Sequence, residues 1–545
     1  MEDQARTPWW RHGVLYQVYP RSFQDSDGDG VGDLRGVIDR LDHLEWLGVD
    51  GLWLNPTFPS PNADWGYDVA DFKGVHPDLG TLADLDELIA RAEERGIRVL
   101  LDLVPNHTSD EHPWFVDSRS SREAAHRHWY VWRDGRADGE PPNNWRSAFG
   151  GSAWTRDDRT GQWYLHNFAP KQPDLDWWQP EVRDAFDGIM TWWYDRGIAG
   201  FRIDVAHGII KDRELRDNPA ATAEDAENWR RVGQRPEFSM NREEVHDVIA
   251  RWREVAEARD DKPILVGETW VLDLDRLASF YGQGGDELHL AFNFVFLLAT
   301  FDAGTLAPIV ARTDELLQGE AWPVWTISNH DLTRAPTRWA RDDEDAARAA
   351  LVMLLTLRGT PVLYYGDEIG MRETDVPHHR VMDPAVAQGA RATRDGARTP
   401  MTWTAQDGGG FTHPGVEPWL PFGDLQRNVA DQREDRGSML HLCRDVIALR
   451  RAQPDLVEGA YVPLEAPEGA WAFRRGEGHG VALNLTARPC AVEGLRGEVV
   501  LSSRRDREGE RVDGRVELEP WDALVIGPSV GERPRVEPDC RRAGS

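Results

Sequence analysis

Short apolar runs recur along the chain, and each is followed by a polar turn and a stretch with helical periodicity. Eight such runs span residues 14–18, 51–54, 97–103, 199–204, 264–268, 288–294, 324–328 and 361–365. Between them, apolar positions with a period near 3.6 predict helices at 81–95, 183–195, 242–259 and 343–357. Strands that alternate with helices are typical of parallel βαβ units. Eight units favour a closed (β/α)8 TIM barrel, and an open doubly wound sheet is the alternative.

Two intervals depart from this alternation and define the predicted domains. The barrel is expected at residues 1–104 and 176–455. Residues 105–175 are rich in Trp, Gly, Asp and Asn, and an interval of that length predicts a small inserted domain. Short period-two runs after the barrel predict an antiparallel β-sandwich at 456–526. Residues 527–545 are polar and contain proline, so we expect a disordered tail.

Composition and charge narrow the classes of partner. The 545 residues carry a formal charge of −31, so nucleic acid and anionic membranes would be repelled and a neutral substrate suits the chain better. No stretch reaches the roughly 18 apolar residues of a membrane span, and the first residues do not read as a secretory signal. We therefore expect a cytoplasmic protein. The three cysteines, Cys443, Cys490 and Cys540, lack the spacing of a disulfide framework or zinc site.

An acidic loop follows the first predicted strand. In the sequence DSDGDGVGD at 25–33, aspartates alternate with small residues as in the first part of an EF-hand loop, although position twelve is glycine rather than glutamate. Carboxylates this close would repel one another without a cation. We expect a structural calcium site, with magnesium as the less favoured ion and a solvated acidic turn as the alternative. Its predicted ligands are Asp25, Asp27, Asp29, the Val31 carbonyl and Asp33.

Polar residues accumulate at the C-terminal ends of the predicted strands. Arg202 and Asp204 lie two residues apart, on one face of the fourth strand. A surface salt bridge would explain that pair alone. However, Glu268 and Asp331 occupy the ends of the fifth and seventh strands, and a barrel brings such ends together. We expect Arg202 to lower the pKa of Asp204, and neighbouring carboxylates to raise the pKa of Glu268.

Four of these strand ends resemble the signature regions of glycoside hydrolase family 13, the α-amylase family. The matching segments are DLVPNH at 102–107, GFRID at 200–204, GE at 267–268 and NHD at 329–331. QPDLD at 172–176 and RDGARTPM at 394–401 resemble the branch of oligo-1,6-glucosidases and α-glucosidases. The resemblance extends over residues 8–525. It implies a barrel, an inserted B domain and a C-terminal sandwich.

The resemblance also implies roles for individual residues. Asp204 corresponds to the nucleophile, Glu268 to the general acid/base and Asp331 to the group that stabilises the transition state. Asp68 and Arg398 correspond to a pair that grips the non-reducing end of the sugar. The other residues implied to bind substrate are Tyr67, His107, Phe168, Arg202, Val205 and His330.

The activity implied by the resemblance is that of a retaining, exo-acting α-glucosidase. Such an enzyme releases α-D-glucose from short oligosaccharides with α-1,4 or α-1,6 bonds, without an organic cofactor. A glucosyl-transferring or isomerising relative, such as trehalose synthase, is the nearest alternative, because it shares the same acids. A non-catalytic relative, like the heavy chain of amino-acid transporters, is disfavoured by the complete set of acids. The sequence leaves the oligomeric state open.

Overall fold

The computed structural model describes residues 8–225, 227–387 and 393–528. In chain order its strands are β1 Leu15–Val18, β2 Gly51–Leu54, β3 Arg98–Leu103, β4 Trp132–Arg133, β5 Trp154–Arg156, β6 Trp163–Leu165, β7 Gly200–Ile203, β8 Ile264–Gly267, β9 Leu290–Ala291, β10 Val324–Thr326, β11 Thr360–Tyr364, β12 Tyr461–Leu464, β13 Ala470–Arg475, β14 His479–Asn484, β15 Cys490–Ser502, β16 Arg511–Leu518 and β17 Ala523–Gly527.

The helices surround these strands. They are α1 Trp9–His12, α2 Leu34–Asp39, α3 Leu41–Leu47, α4 Leu82–Glu94, α5 Pro113–Ser118, α6 Pro180–Tyr194, α7 Glu227–Val232, α8 Val245–Glu257, α9 Leu274–Ser279, α10 Phe294–Leu297, α11 Ala303–Leu316, α12 Ala335–Arg338, α13 Glu344–Thr356, α14 Pro384–Ala387, α15 Val429–Glu434, α16 Met439–Ala452 and α17 Pro454–Val457.

Eight parallel strands form a nearly closed barrel, which confirms the predicted fold class. Their order is β10-β11-β1-β2-β3-β7-β8-β9. Most of these strands are buried along their whole length, as expected for strands covered on both faces. The sixth predicted strand, 288–294, shortens to β9, because the Asn293 side chain accepts a hydrogen bond from Phe296 N and starts α10.

The predicted helices also form, with ends set by local capping. Thr81 and Asp84 make a reciprocal capping box at the start of α4. Helix α13 is buried on almost every side, because it lies between the barrel and the C-terminal sheet. This position explains why the apolar residues in 343–357 are not confined to one face.

The inserted segment carries a small antiparallel sheet in the order β4-β6-β5. Trp145, Trp154 and Leu165 form the centre of its own small core. Isolated bridges pair His107 with Asp174 and Tyr130 with Leu175. These bridges bring both ends of the insertion back to the C-terminal end of β3, so the insertion stands over the end of the barrel where the predicted acids lie.

The C-terminal strands form an antiparallel sheet in the order β12-β13-β14-β17-β15-β16. Its strands enclose a core of short aliphatic side chains such as Ala482, Val499 and Val516. Arg475 of β13 joins the sheet to the barrel side by donating to the Thr356 carbonyl, and Arg450 of α16 donates to the carbonyls of Leu357 and Leu456, which ties α17, the helix before the sheet, to the end of α13.

The structure tests only in part the expectations about the C-terminal tail, membrane spans and cellular location. Gly527 of the predicted tail ends β17, whereas residues 529–545, including Cys540, lie outside the described residues. Among the residues that are described, no helix combines the length and the apolar character needed to cross a bilayer. The cytoplasmic location stays a prediction.

Candidate active site

Arg202 lies at the centre of three acidic side chains at the C-terminal ends of β3, β7 and β8. Its Nη1 donates to Asp102 Oδ1 (2.8 Å) and Asp204 Oδ1 (2.7 Å), and its Nη2 lies 2.8 Å from Glu268 Oε2. All four side chains are buried or nearly so. The barrel therefore brings Asp204 and Glu268 to one guanidinium from neighbouring strands. Asp102 completes the cluster, and the sequence analysis assigned it no role.

The protonation of this cluster differs from the expectation. Burial raises the pKa of Asp204 well above its usual value, and Glu268 and Asp102 add to this effect although Arg202 opposes it. Arg202 does lower the pKa of Asp204, as predicted, but its guanidinium is shared by three buried acids, and burial outweighs it, so the net shift is upward.

Asp331 has the opposite environment. Burial works against its charge, but its interactions with His330 first and then with Arg394 and Arg398 outweigh burial and hold the pKa of its carboxyl well below the usual range. Arg394 Nη1 lies 3.3 Å and Arg398 Nη2 lies 3.0 Å from Asp331 Oδ1. The adjacent His330 is buried, which lowers the pKa of its ring and leaves it neutral. The site thus holds, in Asp331, a carboxylate that stays ionised beside the pair of Asp204 and Glu268.

His330 is held by a chain of hydrogen bonds. Gln17 Nε2 lies 2.8 Å from His330 Nδ1, and the Tyr67 hydroxyl lies 2.5 Å from Nε2. The Tyr67 hydroxyl also donates to Asp102 Oδ2 (3.1 Å). Because the Gln17 amide donates to Nδ1, the proton of the neutral ring is on Nε2. The ring of Tyr67 stacks on His330 with centroids 5.4 Å apart, so the two form one wall of the site.

Asp68 and Arg398, the residues predicted to grip the sugar together, bind different partners in this structure. Asp68 is fully buried, and its carboxylate accepts from Ser60 Oγ and from the backbone N–H groups of Ala63 and Asp64. It therefore stabilises a loop. Arg398 donates to the His330 carbonyl and to Asp331.

Asp64 and Arg394 form the ion pair that was expected from Asp68 and Arg398. Arg394 Nη2 donates to Asp64 Oδ1 (2.9 Å) and to Asp383 Oδ1 (2.8 Å). Asp64 Oδ2 also accepts from Gln172 Nε2 (3.2 Å). The signal in the sequence was closeness to predicted site residues. Asp64 lies three positions before Tyr67, and Arg394 is the first residue of the segment 394–401. The ion pair between Asp64 and Arg394 joins the loop after β2 to the loop after β11.

The remaining predicted binding residues come from the insertion and the β3 loop. His107 is buried, which lowers its pKa to about 4, and Gln172 Nε2 lies 3.1 Å from its Nε2. Phe168 packs against His107 with ring centroids 5.3 Å apart and against Phe149 at 5.7 Å. Arg394 lies over the ring of Phe149 at 5.5 Å. The insertion therefore supplies an aromatic wall next to the ion pair.

Val205 and Trp270 lie on the side of Glu268. Val205 is buried, and its N–H donates to Glu268 Oε2 (2.9 Å). Trp270, two residues after Glu268, packs against Phe294 with centroids 4.5 Å apart.

The acidic loop brings together three of its predicted ligands. Carboxylate oxygens of Asp25, Asp27 and Asp29 lie within 4.8 Å of one another. Val31 adjoins them, since its N–H donates to Asp29 Oδ1 (2.7 Å). The three are hard oxygen ligands of the kind that calcium prefers. Asp33 is placed differently: its carboxylate accepts from Ser26 and caps α2 through Gly36 N.

Comparison with known proteins agrees with this geometry. A model of the alpha-amylase catalytic domain matches residues 17–459. The chain is 42% identical over 487 residues to a "Probable alpha-glucosidase" of Rhizobium meliloti, covering 86% of this chain and 88% of that protein. It is 35% identical over 570 residues to an "Oligo-1,6-glucosidase" of Halalkalibacterium halodurans, with 95% and 99% covered.

A solved structure described as the "alpha-glucosyl transfer enzyme, XgtA" superposes with a TM-score of 0.89. It shares 38% sequence identity and covers 96% of this chain and 99% of its own. The resemblance inferred from the strand-end motifs is confirmed. The chain belongs to the α-amylase family of glycoside hydrolases, family 13.

Proposed function

We propose that this chain is a retaining, exo-acting α-glucosidase that releases α-D-glucose from the non-reducing ends of short oligosaccharides. The observation that carries the proposal is the shared guanidinium: Arg202 holds Asp204 and Glu268 at 2.7 and 2.8 Å. One guanidinium can span two carboxylates only when they are a few ångströms apart. A separation near 5 Å suits a covalent intermediate, whereas an inverting enzyme needs a wider gap that admits water.

In this mechanism Asp204 and Glu268 perform different tasks. Asp204 attacks the anomeric carbon while Glu268 donates a proton to the departing oxygen, and Glu268 then activates the water that releases glucose. The first step requires an ionised Asp204 and a proton on Glu268. Asp331, kept ionised by Arg394 and Arg398, places a negative charge near the positive charge that develops on the sugar ring.

Exo-cleavage is supported by the ion pair between Asp64 and Arg394. This pair and the adjacent aromatic wall of Phe149 and Phe168 stand between the loops of the barrel and the insertion. A pocket closed in this way has room for one sugar ring before the bond that is cut. The charged groups that close it can also bond the hydroxyls of the terminal glucose.

A second candidate is transfer of the glucosyl group to another sugar, or isomerisation of a disaccharide. It is favoured by the similarity to a structure named as an alpha-glucosyl transfer enzyme. Both reactions use the same covalent step and differ in which acceptor reaches the intermediate.

We also propose that the acidic loop binds a structural calcium ion through Asp25, Asp27 and Asp29. Several hydrogen-bond donors already orient these carboxylates: Asp25 accepts from the backbone N–H groups of Gly28 and Gly30 and from the Thr412 hydroxyl. The cation would supply positive charge that offsets the repulsion among the three carboxylates. Through Asp25 it would also join this loop to the segment that contains Thr412.

Product analysis tests the reaction type. The protein is incubated with maltose, isomaltose, sucrose and trehalose, and products are identified by chromatography. Free glucose as the main product supports hydrolysis, whereas new disaccharides support the transfer reaction. Proton NMR of the first product from an aryl α-glucoside should show α-glucose before mutarotation, and initial β-glucose would reject retention.

The role of Glu268 is tested separately. Glu268→Gln should lose activity on maltose by a factor on the order of 100 to 10,000, which is the usual contribution of a general acid. Cleavage of α-glucosyl fluoride should suffer much less, because fluoride leaves without a proton. Asp204→Ala should abolish both reactions. Equal losses on both substrates for Glu268→Gln would reject it as the acid.

A further inference from the structure

The turn after Asp204 contacts the general acid through its backbone. Val205 has a φ of 48°, in the left-handed region that a β-branched residue adopts only under constraint from its surroundings. In this conformation its N–H donates to Glu268 Oε2 at 2.9 Å. The constrained backbone thus coincides with a hydrogen bond to the reacting carboxyl group.

His207 contacts the same acid from the other end of the turn. Its Nδ1 lies 3.2 Å from the Glu268 carbonyl oxygen and 3.2 Å from Trp270 N. A protonated Nδ1 donates to the carbonyl, and an unprotonated Nδ1 accepts from Trp270 N–H. Either tautomer therefore ties the ring to the main chain at Glu268 or Trp270. The ring is 4% exposed, so its orientation is set by packing.

These contacts restrict where Glu268 can hold a proton. Oε2 forms an ion pair with Arg202 Nη2 at 2.8 Å and accepts a hydrogen bond from Val205 N–H at 2.9 Å. Both groups are donors that cannot accept a proton. A proton on Oε2 would point at these donors, so the proton of the acid resides on Oε1.

We propose that His207 is a positioning residue for Glu268. It holds the main chain of the acid while Val205 N–H and Arg202 hold Oε2, so that Oε1 presents its proton to the departing oxygen. The inference rests on the proposed function, in which Glu268 is the general acid. It assigns to His207 a role in the chemical step that is separate from binding the terminal glucose.

The test compares two leaving groups in variants of His207. His207→Ala and His207→Phe both remove Nδ1, and the Phe variant preserves most of the ring volume. Either should lower kcat/KM for maltose by about 10- to 100-fold, since a small displacement of a catalytic group has effects of this size. Cleavage of α-glucosyl fluoride should change by less than about threefold, because it bypasses the proton transfer.

A conservative variant and a matched control separate positioning from stability. His207→Asn places an amide group where Nδ1 lies and should recover maltose cleavage to within about threefold of the original chain. His289 is the control: it is also buried, and its Nδ1 accepts from Leu265 N at 3.0 Å, so it holds the backbone of β8 three residues before the acid rather than at the acid itself. His289→Ala should lower Tm without changing the ratio of maltose to fluoride cleavage.

The outcomes are distinguishable. If folded His207→Phe loses both activities equally, or if His207→Asn is no better than His207→Phe, the positioning role is overturned while the proposed function stands. If Glu268→Gln itself treats the two substrates alike, the proposed function fails and this inference fails with it. A selective loss on maltose that His207→Asn recovers supports the inference.

Discussion

Removing the ion pair between Asp64 and Arg394 should open the pocket and change the products. In the double variant Asp64→Ala/Arg394→Ala both charges of the pair disappear together, although the buried Asp383 also loses its contact with Arg394. Asp331 keeps its contact with Arg398 at 3.0 Å, so the catalytic end of the site retains one of its arginines. The change therefore falls mainly on the closed end of the pocket.

The magnitude follows from the contacts that the sugar would lose. A hydrogen bond to a charged group is worth about 1.5–3 kcal/mol, which corresponds to a loss of about 10- to 150-fold in kcat/KM for each residue. Asp64→Ala alone leaves Arg394 paired with Asp383 at 2.8 Å, so this single variant should fold. Arg394→Ala alone leaves Asp64 beside Gln172, and burial already raises the pKa of that carboxyl.

The assay is the first product released from maltoheptaose. The original chain should release glucose only, whereas the double variant should also release maltose and longer fragments, because a second ring can enter beyond the former barrier. An exposed ion pair, Arg95 with Asp42 at 2.7 Å, serves as the control, and its removal should leave the products unchanged. Glucose as the sole first product, with unaltered kcat/KM in the double variant, would refute the closure by Asp64 and Arg394.

Three further predictions concern linkage, metal and pH. Isomaltose should be cleaved with no less than about a tenth of the maltose efficiency, a gap of about 1.4 kcal/mol, and Val205→Thr should shift the kcat/KM ratio toward maltose; an unchanged ratio would exclude Val205. Chelator should lower Tm and calcium should restore it, but not in Asp27→Ala; a Tm insensitive to chelator would favour a plain acidic turn. Burial raises the pKa of Asp367 to about 7, so the Tm advantage over Asp367→Asn should fall as pH rises from about 4 to 7; a constant difference would contradict this.

Residues adjacent to strand ends could be predicted well. Asp204, Glu268 and Asp331 directly follow short apolar runs, and a barrel places all such ends on one face. The lengths of individual strands were less predictable, because a side-chain cap such as Asn293 can end a strand within an apolar run.

Residues on loops could not be assigned in the same way. Asp64 and Asp68 lie in one turn, where Trp65 has a φ of 47° and Gly66 a φ of 107°. Two consecutive left-handed residues reverse the chain, so which aspartate reaches the pocket depends on the turn conformation rather than on spacing. Arg394 and Arg398 raised the same ambiguity, since both reach Asp331, Arg398 from a fully buried position and Arg394 from a partly exposed one.

The sequence by itself determined the alternation of strands and helices, the strand ends that carry the acids, and the family, because these follow from local periodicity and contiguous motifs. Only the tertiary structure decided which charges meet. Arg202 is shared by Asp102, Asp204 and Glu268 from three strands, so burial rather than its sequence neighbour governs the pKa of Asp204. Electrostatic interactions depend on distance and burial in space, and neither is encoded by position along the chain.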